Sequence, residues 1–240
     1  MIYEEYYTLA EITRWQMETD IEWDKIDKEI ALSQPEVLDQ LRDACLIESY
    51  HPISTKRLLD LMWDDIDATG ILSVELFEGF RHFLVLKRYL EEVGYDKPIT
   101  DLELKKMRQK AVKGLPKPEL TQELINFIFS EHFAAFYFVR ISQKAKEPVL
   151  KQIATFIARD EFRHTRISHD LMKQRLEQKK EAVEEVLEAA YNFRHYGNEA
   201  LEEVPVFQRN DVLAINSFMK KVELLTGRRL VDYIKEKKLK

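Results

Sequence analysis

Two sets of acidic residues and histidines recur along the chain at nearly the same spacing. Glu48 is followed 30 residues later by Glu78, with His82 four beyond it; Glu131 is followed 30 residues later by Glu161, with His164 three beyond that. The sets are offset by 83, 83 and 82 residues, and each histidine closes the same string, Phe80-Arg81-His82 and Phe162-Arg163-His164. Residues three or four apart share a helix face. Two helical hairpins of this form would each bring one Glu from a first helix beside a Glu/His pair on the second. Around Glu131 the chain reads Phe127, Ile128, Phe129, Phe133, Phe136, Tyr137 and Phe138, apolar on nearly all sides. A carboxylate there is costly unless a cation or partner takes up its charge. Several converging without one would repel, and some would stay protonated.

Metal binding is the chemistry that suits these types. A lone Glu plus Glu-x-x-His is the donor pattern of carboxylate-bridged di-iron and di-manganese bundles. Carboxylate oxygens with one imidazole per metal fit iron or manganese better than zinc, which prefers His and Cys. The candidate ligands are Glu48, Glu78 and His82 from one hairpin, and Glu131, Glu161 and His164 from the other. Glu78 and Glu131 are the expected bridges, with Glu48 and Glu161 serving single ions. The first set departs from the pattern, because Glu78 lies four before His82 and Gly79 stands three before. Four apart is still one face, and a π-bulge at the glycine could accommodate it. Glu75 is the substitute if Glu78 points away, and His51, three after Glu48, is a further candidate. His132 reads as a packed or supporting group and His169 as a surface residue. Phe193-Arg194-His195 has no acid in the preceding turn and is given no role.

Helices must position these groups. Val37, Leu38, Leu41, Ala44, Cys45 and Glu48 share one face of a predicted helix, Pro35 to Glu48, with Ser33 and Glu36 as an S-x-x-E cap. Further helices are expected over Ser54–Thr69, ending at Gly70, and over about Leu72 to Val93, stopped by Gly94. Others follow over Thr100 to Lys113, Glu119–Lys146, Pro148–Lys179, Glu181–Tyr196 and Asp211–Thr226, with a short tail helix after Gly227. No stretch alternates over strand length, so the expected class is all-α, a single helical bundle over 1–240. Only 6 Gly and 7 Pro in 240 residues argue against a turn-rich β architecture. The mean hydropathy is −0.39 and the sequence shows no uninterrupted apolar run of spanning length, so no integral membrane protein is expected. The acidic start lacks the pattern of a signal peptide, and the single Cys45 cannot form an internal disulfide; a reducing cytoplasm is the expectation. With 37 Lys+Arg against 43 Asp+Glu, the net charge of −6 gives no support to a nucleic-acid partner.

The sequence resembles the soluble acyl-carrier-protein desaturases, a branch of the ferritin-like di-iron enzymes. The resemblance rests on Ile47-Glu48 with Pro52 four residues on, Arg81-His82 leading into LVLKRYLEEVG, Glu131 after Phe127-Ile128-Phe129, and KQIATFIARDEFRH over residues 151–164. It covers roughly residues 40–240. It implies a ferritin-like fold in which Glu48, His82, Glu131, Glu161 and His164 fall on five of the family's six metal ligands, while the sixth falls on Gly79. Ala134 stands where the family usually has a threonine linked to oxygen activation. Asp160 falls on an aspartate joining a ligand histidine to a tryptophan that passes electrons, with Trp15 and Trp23 as the candidate tryptophans. The implied cofactor is two Fe ions, or a Mn/Fe pair. The implied reaction is O2-dependent oxidation of an acyl thioester borne by acyl carrier protein, with a ferredoxin-like electron donor and a homodimer. The basic run Lys105, Lys106, Arg108, Lys110, Lys113 and Lys117 could dock an acidic carrier. Hydroxylation or N-oxygenation, iron oxidation without an organic substrate, and a non-catalytic metal-binding protein altered at Gly79 are the alternatives.

Overall fold

The computed structural model describes residues 2–113, 117–179, 182–201 and 211–239. In chain order the helices are α1 (Ile2–Thr13), α2 (Lys28–Leu32), α3 (Pro35–Glu48), α4 (His51–Leu61), α5 (Ile66–Val93), α6 (Asp101–Lys113) and α7 (Leu120–Lys144). They continue with α8 (Pro148–Gln178), α9 (Ala182–Tyr191), α10 (Gly197–Ala200), α11 (Val212–Thr226) and α12 (Leu230–Lys238), and a 3-10 turn at Trp23–Lys25 precedes α2. Among the described residues there is no strand. The protein is all-α, as its composition and period require.

Four helices form the core. α3 packs on α5, α5 on α8, α8 on α7 along its length, and α7 on α3, closing a ring. α1 lies along α5, while α9 and α11 cover α7. By length and composition α7 could cross a membrane, contrary to the sequence expectation; here it is a core helix, buried on most sides, with Glu123 and Glu131 inside the bundle.

Local signals explain the boundaries. The Asp65 carboxylate caps α5 by accepting the Ala68 N–H at 2.9 Å, and Glu147 caps α8 by accepting from Leu150 at 2.7 Å. Gly94 ends α5 at φ 74°, in the left-handed region where glycine is favoured. Gly70 does not end a helix. It lies inside α5, where a Cβ would sit 3.1 Å from the Tyr3 ring, so it marks the close approach of α1. Ser33 does not cap α3 either; it closes α2, and Gln34 precedes Pro35 without a capping hydrogen bond. α9 stops at Tyr191, short of the expected Tyr196.

Candidate metal centre

Each second helix presents its histidine to the interior, and every donor near it is buried. Glu48, His82 and Glu161 place one ligand atom each within 4.8 Å of one another, and so do Glu131, Glu161 and His164. Glu161 belongs to both groups. Its Oε1 lies 2.8 Å from His82 Nδ1, and its Oε2 lies 3.1 Å from His164 Nδ1. Glu131 Oε2 is 3.3 Å from His164 Nδ1, and Glu48 Oε2 is 3.8 Å from His82 Nδ1. The structure therefore brings five of the six expected residues together. The carboxylate within reach of both histidines is Glu161, which the sequence reading gave to a single ion.

Glu78 is the exception. It accepts from Arg163 at 2.7 Å through Oε1, and its Oε2 lies 3.0 Å from His164 Nε2, the nitrogen that faces away from the cluster. The reason is angular: successive helix residues are about 100° apart, so a side chain four before His82 is turned well away from one three before it. Glu78 thus mirrors Asp160, whose Oδ2 lies 3.2 Å from the outer nitrogen of His82 and accepts from Arg81 at 3.0 Å. The register of the duplication in the second helices is 82 throughout, pairing Glu78 with Asp160, Arg81 with Arg163 and His82 with His164. Each acid reaches across to the other hairpin's histidine and is neutralised by the arginine one residue before it.

This arrangement fits a metal pair. With the outer nitrogens protonated and donating to Asp160 and Glu78, each Nδ1 keeps a lone pair toward the carboxylates. His82 Nδ1 is buried and faces Glu161 Oε1 at 2.8 Å and Glu48 Oε2 at 3.8 Å without a well-aligned hydrogen bond. Among the described residues no lysine or arginine pairs with Glu48, Glu131 or Glu161, whose basic neighbours there are the histidines. The titration directions carry the same strain. Burial, then the neighbouring Glu161 charge, pushes Glu131 up to about 7, and burial raises Glu48. Burial also opposes ionisation of Glu161, but its hydrogen bond with Glu131 and the two histidines win, pulling it down to about 2. Burial would lower His82, yet Glu161, Asp160 and Glu48 hold it well above the usual imidazole value.

α1 and the segment after it supply two residues whose role the sequence left open or missed. Trp15, 2 % exposed, donates its indole N–H to Asp160 Oδ2 at 2.7 Å and stacks parallel to the His82 ring at 6.4 Å. Of the two candidate tryptophans it is the one that meets Asp160; Trp23 donates to the Met17 carbonyl. Tyr6 is buried with its hydroxyl unpartnered, in the field of Glu75, Glu78 and His164. No spacing rule links it to them. Glu75 is fully buried, accepting from Ser168 at 3.2 Å through Oε1, with Oε2 unpartnered. His132 is packed, its Nε2 3.0 Å from the Ala214 carbonyl. His195, given no role from sequence, lines a small apolar cavity with Ala44, Ile47, Glu48, Ala134, Tyr137 and Phe138.

The fold is a ferritin-like helical bundle, and its interior holds two groups of buried carboxylate and histidine donors that share Glu161. Two solved structures share its architecture. An R2-like ligand-binding oxidase from Sulfolobus acidocaldarius aligns with a TM-score of 0.68 at 15% identity, covering 97% of this chain and 93% of that one. The acyl-ACP desaturase candidate DesA2 from Mycobacterium tuberculosis H37Rv aligns with a TM-score of 0.56 at 19% identity, covering 93% and 91%. No protein-family model matches the sequence, and no curated protein matches it.

Proposed function

We propose that the protein is a di-iron oxidase, with a manganese–iron pair as the other possible metal content, that activates O2 to oxidise an unactivated C–H bond. The observation that carries this reading is the sharing of Glu161 between two buried donor groups. A carboxylate within reach of two histidine nitrogens suits two ions; a single-ion site has no need of it. Glu48, His82 and Glu161 would hold one ion, and Glu131, Glu161 and His164 the other. When bound, the pair supplies electrons and Lewis acidity for O2 chemistry.

The chain's own residues do the rest. Asp160 and Glu78 hold the two imidazoles in the tautomer that leaves Nδ1 free. Phe127 beside His51 and Phe138 beside Glu48 are fully buried and add apolar surface to the same interior. Trp15, Asp160 and His82 form an unbroken hydrogen-bonded path from the cluster toward a surface groove lined by Trp15, Met17, Phe77 and Phe80. That path suits electrons from a ferredoxin-like donor. The desaturase-like version of the reaction, with an acyl chain on acyl carrier protein and a homodimeric enzyme, is supported by the sequence resemblance and by the exposed cations Lys105, Lys106 and Lys110 on α6.

One observation favours a second reading. The apolar cavity beside Glu48 and Ala134 measures about 20 Å³, room for roughly one water and far short of an acyl chain. An iron-handling ferroxidase, with Fe(II) itself the substrate, needs no more. Anaerobic loading with Fe(II) followed by O2 separates the cases. Two irons per chain and one oxidised di-iron absorption per reduction support the oxidase. Repeated turnover of excess Fe(II) without a reductant supports the ferroxidase, and fewer than two irons per chain rejects both.

A further inference from the structure

We propose that His51 is a third imidazole ligand of the metal pair, standing where the symmetry of the bundle calls for a fourth carboxylate. The inference rests on the two-metal reading above. In the 82-residue register of α5 and α8, the turn from Glu78 to His82 matches the turn from Asp160 to His164 in acid, Phe, Arg and His; its one chemical mismatch is Gly79 against Glu161. In the 83-residue register of the first helices, Glu48 matches Glu131, and three residues on stand His51 in one hairpin and Ala134 in the other. The two mismatches compensate. The hairpin without the carboxylate carries an imidazole, and the hairpin with the carboxylate carries a methyl group in the imidazole's place.

The geometry makes the compensation physical. Backbone angles stay helical through Ser49 and Tyr50, so His51 remains on the side of Glu48 although α3 ends between them. A Cβ at Gly79 would lie 2.7 Å from His51 Cδ2 and Cγ and 2.8 Å from its Nδ1. The ring therefore fills the volume through which a glutamate at 79 would extend. It is 7% exposed and rests against Phe127, one turn before Glu131, at 6.0 Å between ring centres. Its Nε2 is buried with no hydrogen-bond partner, an arrangement that costs stability unless something accepts the lone pair. Of the charged neighbours, Glu131 acts on the ring most strongly. Glu75 is the rival for the same role. It lies a full turn from Gly79, and one of its oxygens is engaged by Ser168.

The test uses the full chain loaded anaerobically with Fe(II), with iron counted per chain. Electron spin-echo modulation of the NO-treated centre, in protein carrying ¹⁵N-histidine, counts the coordinated imidazoles. Wild type should show two irons and three imidazoles, a count that needs no variant to fold. His51→Ala should show two imidazoles and bind one iron about tenfold or more weakly, whereas Glu75→Gln should keep all three. The double variant His51→Ala/Gly79→Glu should regain two tightly held irons with two imidazoles. Two irons with only two imidazoles in wild type, or loss of an ion in Glu75→Gln but not in His51→Ala, overturns the role of His51 and leaves the two-metal reading standing. Fewer than two irons in wild type overturns both.

Discussion

Asp160→Asn removes one charge from the interior and almost nothing else. Asp160 is fully buried, and its Oδ2 accepts from Trp15 at 2.7 Å and from Arg81 at 3.0 Å and lies 3.2 Å from His82 Nε2; Arg163 lies 3.0 Å from Oδ1. A carboxylate can face donors on both sides. An amide cannot, because one of its ends donates. Whichever way the asparagine turns, a buried N–H group confronts either Arg163 or the set of Trp15, Arg81 and His82. Two buried arginines then share Glu78, which lies 2.7 Å from Arg163 and 3.5 Å from Arg81. Removing one partner of a buried ion pair costs about 3–5 kcal/mol, and urea unfolding of the metal-free protein at pH 7 should show a loss of that order. A second consequence concerns His82. With an amide N–H toward Nε2, the ring proton moves to Nδ1 and closes the nitrogen that faces Glu161. Metal affinity should fall about 10–100-fold, read by competition with a chelator of known affinity. A stability loss below about 1 kcal/mol, together with unchanged affinity, would refute the argument that this carboxylate holds the network and sets the tautomer.

Glu78→Gln should lower stability by about 3–5 kcal/mol, the cost of breaking its buried ion pair with Arg163. It should also weaken metal binding about 10–100-fold through the His164 tautomer, while two metals still bind at saturation; unchanged stability and affinity would refute its supporting role. Gly79→Ala should cost about 1–3 kcal/mol in thermal or urea unfolding, because the added methyl meets a ring that Phe127 already confines; a neutral result would mean the ring can move aside. Relative to Glu131→Gln, the metal-free wild type should lose stability as pH rises from about 4.5 to 7, a comparison that cancels the opposing contributions of His51, His132 and His195, which burial lowers to about 4. Glu131 titrates near 7 in the fold against 4.5 unfolded, so the folded state binds the extra proton in that window, and the linkage amounts to on the order of 3 kcal/mol. The raised histidines act in the same sense: their contribution is complete below 6.5 and disappears as pH climbs through their folded values. Metal must displace these protons, so affinity should rise across the same range, and a flat or inverted profile by calorimetry counts against it. Trp15→Phe keeps the packing but removes the donor to Asp160; reduction of the oxidised centre should slow while metal content stays the same, and equal rates would exclude the indole from the electron path.

The duplicated motif was readable because metal-ligand geometry on helices is local. Glu161 and His164 share a face at any tertiary arrangement, and the phenylalanines around Glu131 announce a buried carboxylate. Glu78 shows the limit of that reading. Its spacing to His82 permitted a ligand, yet its direction is decided by Arg163 and His164 on α8, 85 and 86 residues away. Gly79 likewise read as a lost ligand until the His51 ring was found above it.

From the sequence alone came the all-helical class, the hairpins, and the five donors that cluster, all consequences of a 3.6-residue period and of the cost of burying charge. The tertiary structure alone decided which carboxylate is shared, which acid supports which histidine, and that Trp15 rather than Trp23 meets Asp160. Those choices depend on helix rotations and on contacts between residues as far as 145 positions apart, where backbone period carries no information and only packing selects the partner.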